Sequence, residues 1–248
     1  MWGQVWQAAR APYVTCPEAT LMGGIGLDHG MSRQRLIHYL SAEGSRYHHD
    51  KYRRWNKRLA HHVECAILHG LLRYVGHSHD VLDAPSGPGR FFDVIKEHAD
   101  AIHLGDISPH MLDIAREQTQ NRAASYSVLD LLNVGPAHRT FEGVISLRLT
   151  HHIYEAEAIE EYFRGLASLT RRWLILTFRD ARAPRTLWRR MGRRLRGKRH
   201  LPAQTLDQVS AAMRVHGFHF VASTQVSPWF SGHCYALFVR TPDVNLDE

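Results

Sequence analysis

Apolar residues recur at steps of three or four between Ser45 and Val75, at Tyr52, Trp55, Leu59, Val63, Ala66, Ile67, Leu71 and Tyr74. That spacing predicts one long amphipathic helix, with Gly76 as its stop. Upstream, Ser32 is placed to cap a short helix through Leu36, Ile37 and Leu40 that Gly44 ends, and residues 1–31 read as an irregular extension. Beyond Gly76 short apolar runs alternate with helix-length segments. Strands are expected at 80–84, 101–107, 125–131, 143–149 and 173–179, with helices at 90–98, 109–120 and 156–170. Such alternation implies right-handed crossovers and a parallel sheet covered on both faces. A helix at 206–215 precedes two runs, 218–226 and 234–240, around a turn containing Pro228 and Gly232. They read as a hairpin that ends the sheet with an antiparallel strand. The division expected is an extension and helical cap over 1–75 and an α/β domain over 76–241.

Composition narrows the classes. No apolar run approaches the ~18 residues of a membrane span. Residues 1–6 lack the basic-then-apolar order of a secretory leader. Cys16, Cys65 and Cys234 are odd in number and widely spaced, which fits neither a disulfide framework nor a CxxC site. Cytoplasm is the compartment expected. Lys and Arg number 31 against 24 acids, a net charge of +7, which allows an anionic partner without demanding one. The 19 histidines contain no pair at a spacing such as HExxH, and no metal is expected.

The most informative segment is Val81-Leu82-Asp83-Ala84-Pro85-Ser86-Gly87-Pro88-Gly89-Arg90-Phe91, a strand, a glycine turn and a helix start. The two glycines let the backbone approach a ligand at the carboxyl end of the strand, where open α/β sheets bind. A dinucleotide fingerprint fails, because Phe92 stands where the third glycine belongs, and no P-loop lysine is present. Asp83 before the turn opposes phosphate but suits a ligand carrying an amine and a sulfonium. A second signal is Leu104-Gly105-Asp106-Ile107-Ser108-Pro109-His110-Met111-Leu112. There Ser108 is placed to cap a helix, with Pro109 at its first position.

Together these segments resemble the class I S-adenosylmethionine-dependent methyltransferases, in the branch whose first motif reads LDxPxGxGR, with Pro85 in place of the first glycine of DxGxGxG. The resemblance covers residues 76–241 in strand order. It implies a three-layer Rossmann-like fold with a mostly parallel seven-stranded sheet, a C-terminal antiparallel hairpin and N-terminal helices. It also implies S-adenosylmethionine as cofactor, held by Asp83, Pro85, Ser86, Gly87, Gly89, Asp106, Ile107, Met111, Asp130, Leu131 and Leu147. In it Asp106 is the ribose clamp, Met111 packs on the adenine and Asp130 takes the adenine amine. For Asp130 alone, a plain turn aspartate is the competing reading.

Strand four runs into Arg148-Leu149-Thr150-His151-His152-Ile153. This ending is similar to small-molecule and lipid-related methyltransferases and unlike the NPPY or DPPY ending that holds a nucleobase amine. None of the cysteines stands here to attack a pyrimidine. His151 and His152 are the catalytic candidates, as base or as acceptor-orienting groups, because imidazole titrates near neutrality. Packing and backbone bonding are the competing roles for each. On the helix before strand one, Tyr47, Tyr52, Arg53 and Arg54 either touch the ligand or form a solvated face, and the solvated face is favoured.

Residues 179–199 hold Arg179, Arg182, Arg185, Arg189, Arg190, Arg193, Arg194, Arg196, Lys198 and Arg199 against the single acid Asp180. Leu187, Trp188, Met191 and Leu195 recur among them at helical spacing. An anionic membrane surface touched through 185–199, nucleic acid, and an apolar face laid on the sheet edge are the three readings. A peripheral position at the inner membrane face follows from the first. The activity expected is methyl transfer to a small-molecule or lipid-linked acceptor at oxygen or carbon. An RNA- or protein-modifying methyltransferase and a non-catalytic cofactor-binding protein are the alternatives.

Overall fold

The structure is a computed structural model that describes residues 55–135, 139–227 and 231–241. The segments expected at 1–31 and 32–44, the part of the long helix before Trp55, and Tyr47, Tyr52, Arg53 and Arg54 lie outside the described residues.

The chain runs α1 (Trp55–Val75), β1 (Ser78–Asp83), α2 (Phe92–Lys96), β2 (Ala99–Asp106), α3 (Pro109–Gln118), β3 (Ser125–Val128) and β4 (Phe141–Ser146). A 3-10 turn (Thr150–His152) follows, then α4 (Ala156–Leu169), β5 (Thr170–Arg179), α5 (Pro184–Leu195), α6 (Leu206–Val215), β6 (Phe218–Gln225) and β7 (His233–Arg240). The seven strands form one sheet in the order β3-β2-β1-β4-β5-β7-β6. β1, β2, β3, β4 and β5 pair in parallel, and β7 is antiparallel to both neighbours. The expected three-layer architecture is therefore present, with one change: β7 does not end the sheet but inserts between β5 and β6.

Consecutive residues of the central strands face opposite layers, which is why these strands read as unbroken apolar runs. Leu82, Val144, Leu174 and Leu176 pack with Tyr162, Phe163 and Leu166 of α4 and Val209 and Met213 of α6. Val81, Ile145, Trp173 and Ile175 pack on the other face with Leu68, Leu71, Leu72 and Val75 of α1 and Phe92 and Ile95 of α2. The long helix thus belongs to the core of the sheet. Trp173 is fully buried, and its Nε1 donates to Ser78 Oγ at 3.0 Å. Truncation at such a position costs about 3–5 kcal/mol.

Strand ends fall where hydrogen-bonding partners run out. β3 stops at Val128, opposite Asp106, and Leu129 N–H makes the last bond, to Asp106 O at 3.0 Å. Asp130 and Leu131 therefore lie in a loop beyond the strand. β4 ends at Ser146, so Leu147, Arg148 and Leu149 also leave the sheet. Helix α2 begins at Phe92 and not at Arg90, because Pro88, Gly89 and Arg90 are spent in the preceding turn.

Candidate active site

The turn after β1 lies across the end of β2. Ser86 N–H donates to Gly105 O at 2.8 Å, and Gly89 N–H returns to Ser86 O at 3.1 Å. Gly87 and Gly89 have φ of 52° and 74°, the left-handed region that glycine adopts at no steric cost. A Cβ on Gly89 would stand 3.1 Å from Thr119 Cγ2, whereas the position a Cβ would take on Gly87 is open. Gly87 thus offers bare backbone on the side where a ligand approaches.

Two buried carboxylates sit beneath this turn. Asp106 is fully buried and takes Gly87 N–H at 2.8 Å on one oxygen and Ser108 N–H at 2.9 Å on the other. It ties the first turn to the start of α3, where Ser108 caps the helix with Pro109 behind it, as expected. Asp83 is equally buried, yet neither of its oxygens has a hydrogen-bond partner among the described residues. Burial, reinforced by the nearby Asp106 carboxylate, pushes Asp83 up to about 8, while the Arg90 guanidinium pulls the other way. An orphaned buried carboxyl group is costly unless a donor meets it. Under an open glycine turn it fits an amine-bearing ligand such as S-adenosylmethionine.

The remaining expected cofactor positions divide by burial. Ile107 and Pro85 are half-buried beside the turn, Ser86 is buried in it, and Met111 is buried at the start of α3. Asp130 is half-buried, and its Oδ1 accepts from Leu132 N–H at 2.9 Å, so it closes a local turn. The side chains of Leu131 and Leu147 are core residues on opposite faces of the sheet. Any ligand contact from those two comes through backbone.

Around the ends of β4, β5 and β7 the fold gathers histidines and arginines. The rings of His151 and His152 stand 4.1 Å apart between centroids, and His233 packs edge-on against His151 at 5.0 Å. Strand register puts His233 directly opposite Arg179, which is itself buried. Burial, with the positive charges of neighbouring arginines, pushes His233 down to about 3 and holds His151 well below the usual imidazole range. Both are neutral at physiological pH. Nδ1 of each is buried without a partner among the described residues. His152 is exposed. Sequence reasoning missed His233, because only antiparallel pairing across β5 and β7 brings it to this edge.

A second group missed from sequence lies under α1. Glu64 is 1% exposed and accepts from Arg90 at 3.3 Å through one oxygen and from Arg148 through the other. Arg148 has φ of 66°, a left-handed conformation that costs a non-glycine residue about 1–3 kcal/mol. Its N–H bond to Thr177 Oγ1 at 2.6 Å and its side-chain pair with Glu64 hold it there. Tyr235, two residues after His233 on the same face of β7, has a buried hydroxyl with no partner among the described residues. Glu64 thus clamps the helical cap to the residue after the glycine turn and to the bend after β4.

Helix α5 leaves this same edge. It does not lay its apolar face on the sheet, because Leu187, Trp188, Met191 and Leu195 are 52%, 69%, 57% and 82% exposed. At 3.6 residues per turn these four fall within an arc of about 100°. Only Thr186 of the helix is buried, against Gly232.

The fold is the Rossmann-like one found in class I methyltransferases. Residues 81–172 match the family model described as a methyltransferase domain. Its fold is similar to the magnesium protoporphyrin IX methyltransferase of Synechocystis PCC 6803, solved with bound S-adenosylhomocysteine, at 20% identity and a TM-score of 0.67, over 84% of this chain and 100% of that one. It is also similar to the N-methyltransferase NodS of Bradyrhizobium japonicum WM9, at 13% identity and a TM-score of 0.56, over 72% and 95% of the two chains. A third likeness is an S-adenosylmethionine-dependent methyltransferase of Clostridium acetobutylicum ATCC 824, at 12% identity and a TM-score of 0.55, over 71% and 89%. No curated protein matches the sequence.

Proposed function

We propose that this protein transfers a methyl group from S-adenosylmethionine to an anionic small-molecule or lipid-linked acceptor, at oxygen or carbon. The observation that carries the reading is the buried, unpartnered Asp83 carboxyl group under the open turn at Gly87. The catalytic unit is residues 76–241, with α1 packed on its sheet. Solved relatives in fold bind this cofactor or its demethylated product, and one of them acts on a protoporphyrin.

Asp83 receives the cofactor amine, while Pro85, Ser86, Gly87 and Gly89 shape the turn against it. Asp106 is the ribose clamp, and the Gly87 and Ser108 N–H bonds orient its carboxylate. Ile107, Met111, Asp130 and the backbones of Leu131 and Leu147 line the adenine side. The cofactor supplies an activated methyl on a positive sulfur.

The acceptor edge decides the rest. A histidine held well below its usual range is a weak base, and Arg148 and Arg179 beside it favour negative charge. An acceptor already anionic, such as a carboxylate or enolate, needs no proton removed before it takes a methyl. His151 and His152 therefore orient the acceptor, with His233 behind them. Replacing both His151 and His152 by alanine is expected to lower kcat about 100-fold, with cofactor affinity within about twofold of wild type. Calorimetric titration with the cofactor, followed by labelled-methyl transfer into an extract fractionated by anion exchange, tests the whole reading. A wild-type protein that ignores the cofactor at millimolar concentration removes it.

Helix α5 supports a peripheral position at an anionic membrane surface, which suits a lipid-linked acceptor. Its exposed Leu187, Trp188, Met191 and Leu195 form one face, and Arg185, Arg189, Arg190, Arg193 and Arg194 cover the rest, with Arg196 just past its end. No helix among the described residues is long and apolar enough to cross a membrane. Sedimentation with phosphatidylserine vesicles is expected to be salt-sensitive and to fall at least about tenfold in Trp188→Ser/Leu195→Ser. Preference for RNA over vesicles, unaffected by that change, would replace this reading with nucleic-acid modification.

A further inference from the structure

The opposite edge of the sheet carries a cluster that methyl transfer does not use. His69 projects from the last turns of α1, and Glu97 and His98 form the turn between α2 and β2. His98 Nε2 lies 3.1 Å from His69 Nδ1, and Glu97 Oε2 lies 3.3 Å from the same Nδ1. The three ligand atoms all fall within 4.8 Å of one another. The two rings meet at 67°, with centroids 4.8 Å apart.

Hydrogen bonding alone serves this geometry poorly. His69 Nδ1 carries at most one hydrogen, yet a second imidazole nitrogen and a carboxylate oxygen both converge on it. If His69 is the donor, one of the two acceptors is left out. If His98 is the donor, Glu97 faces a lone pair. A cation satisfies all three at once. Tetrahedral bonds of about 2.0–2.1 Å put ligand atoms about 3.3–3.4 Å apart, close to the separations of 3.1 and 3.3 Å here. Two imidazoles and one carboxylate suit a borderline divalent ion such as Zn2+ and disfavour Mg2+. Glu97 is exposed and both histidines are half-buried, so water has access to a fourth position.

We propose that His69, Glu97 and His98 form a Zn2+ site. Its place shows a structural and not a catalytic role. His98 O accepts from Ser78 N–H at 2.9 Å at the start of β1, and the glycine turn lies at the other end of that strand, about 17 Å away at 3.3 Å per residue. Bound metal pins the end of α1 to the α2–β2 turn. The same helix carries Glu64, which clasps Arg90 and Arg148.

The experiment is titration of chelator-treated full-length protein with ZnCl2, comparing wild type with His98→Ala and Glu97→Gln. With 19 histidines in the chain, the difference from the variants isolates this site. Zn2+ affinity is expected to fall at least about 100-fold in His98→Ala and about tenfold in Glu97→Gln. Zn2+ is expected to raise the Tm of wild type and not that of His98→Ala, and Mg2+ to move neither. Co2+ is expected to give strong visible d–d absorption in wild type that His98→Ala loses. Equal Zn2+ affinity and equal Tm shifts in wild type and both variants would overturn the site. Glu97 is exposed, so its replacement keeps the test valid should His98→Ala fold poorly.

Discussion

Asp83→Asn is expected to raise the Tm of the ligand-free protein while weakening S-adenosylmethionine binding at least about 100-fold. The opposite signs follow from one group. In the unfolded chain Asp83 ionises near pH 4, but burial beside Asp106 keeps the folded carboxyl protonated up to about 8. Between those values the folded state binds the extra proton, so stability falls as pH rises, by about 1.4 kcal/mol per pH unit from this group alone. Asparagine keeps the shape and removes the titration. The Tm gap between variant and wild type should therefore be small at pH 5 and widen towards pH 8. An ammonium group on the cofactor reverses the preference and ionises Asp83. Binding near pH 7 should then release a proton, visible as a dependence of the calorimetric heat on the ionisation enthalpy of the buffer. The variant should release none. A wild type whose stability is flat from pH 5 to 8, or an asparagine variant that binds the cofactor normally, would contradict this account.

Glu64→Ala is expected to cost about 3–5 kcal/mol in urea unfolding, since it leaves two guanidinium groups packed under α1 without their carboxylate. Arg90 follows the glycine turn directly, and Arg148 holds a left-handed bend. The same change should therefore weaken the cofactor site as well. Glu64→Gln keeps the hydrogen-bonding shape and should lose less. A loss below about 1 kcal/mol for the alanine variant would mean that the clamp is not what holds the cap, as expected of an exposed ion pair.

The strand–helix alternation, the glycine turn at Gly87 and Gly89, the Ser108–Pro109 helix start and the pair Asp83 and Asp106 were all legible in the sequence. Each is a local signal. Period, turn chemistry and capping act over a few residues, and their order along the chain specifies the sheet and the ligand edge. His151 and His152 were legible as positions after strand four, but the burial that keeps His151 neutral beside arginines was not.

Tertiary structure decided the rest, because sheet register and helix docking join residues with no local relation. Arg148 meets a carboxylate 84 residues away in Glu64, and His98 meets His69 across 29 residues, a separation that no short metal motif encodes. His233 reaches His151 only because β7 inserts antiparallel beside β5, opposite Arg179. Helix α5 looked equally able to cover the sheet or to face outward. Only the packed fold, with Thr186 as its single buried contact, left its apolar stripe in solvent.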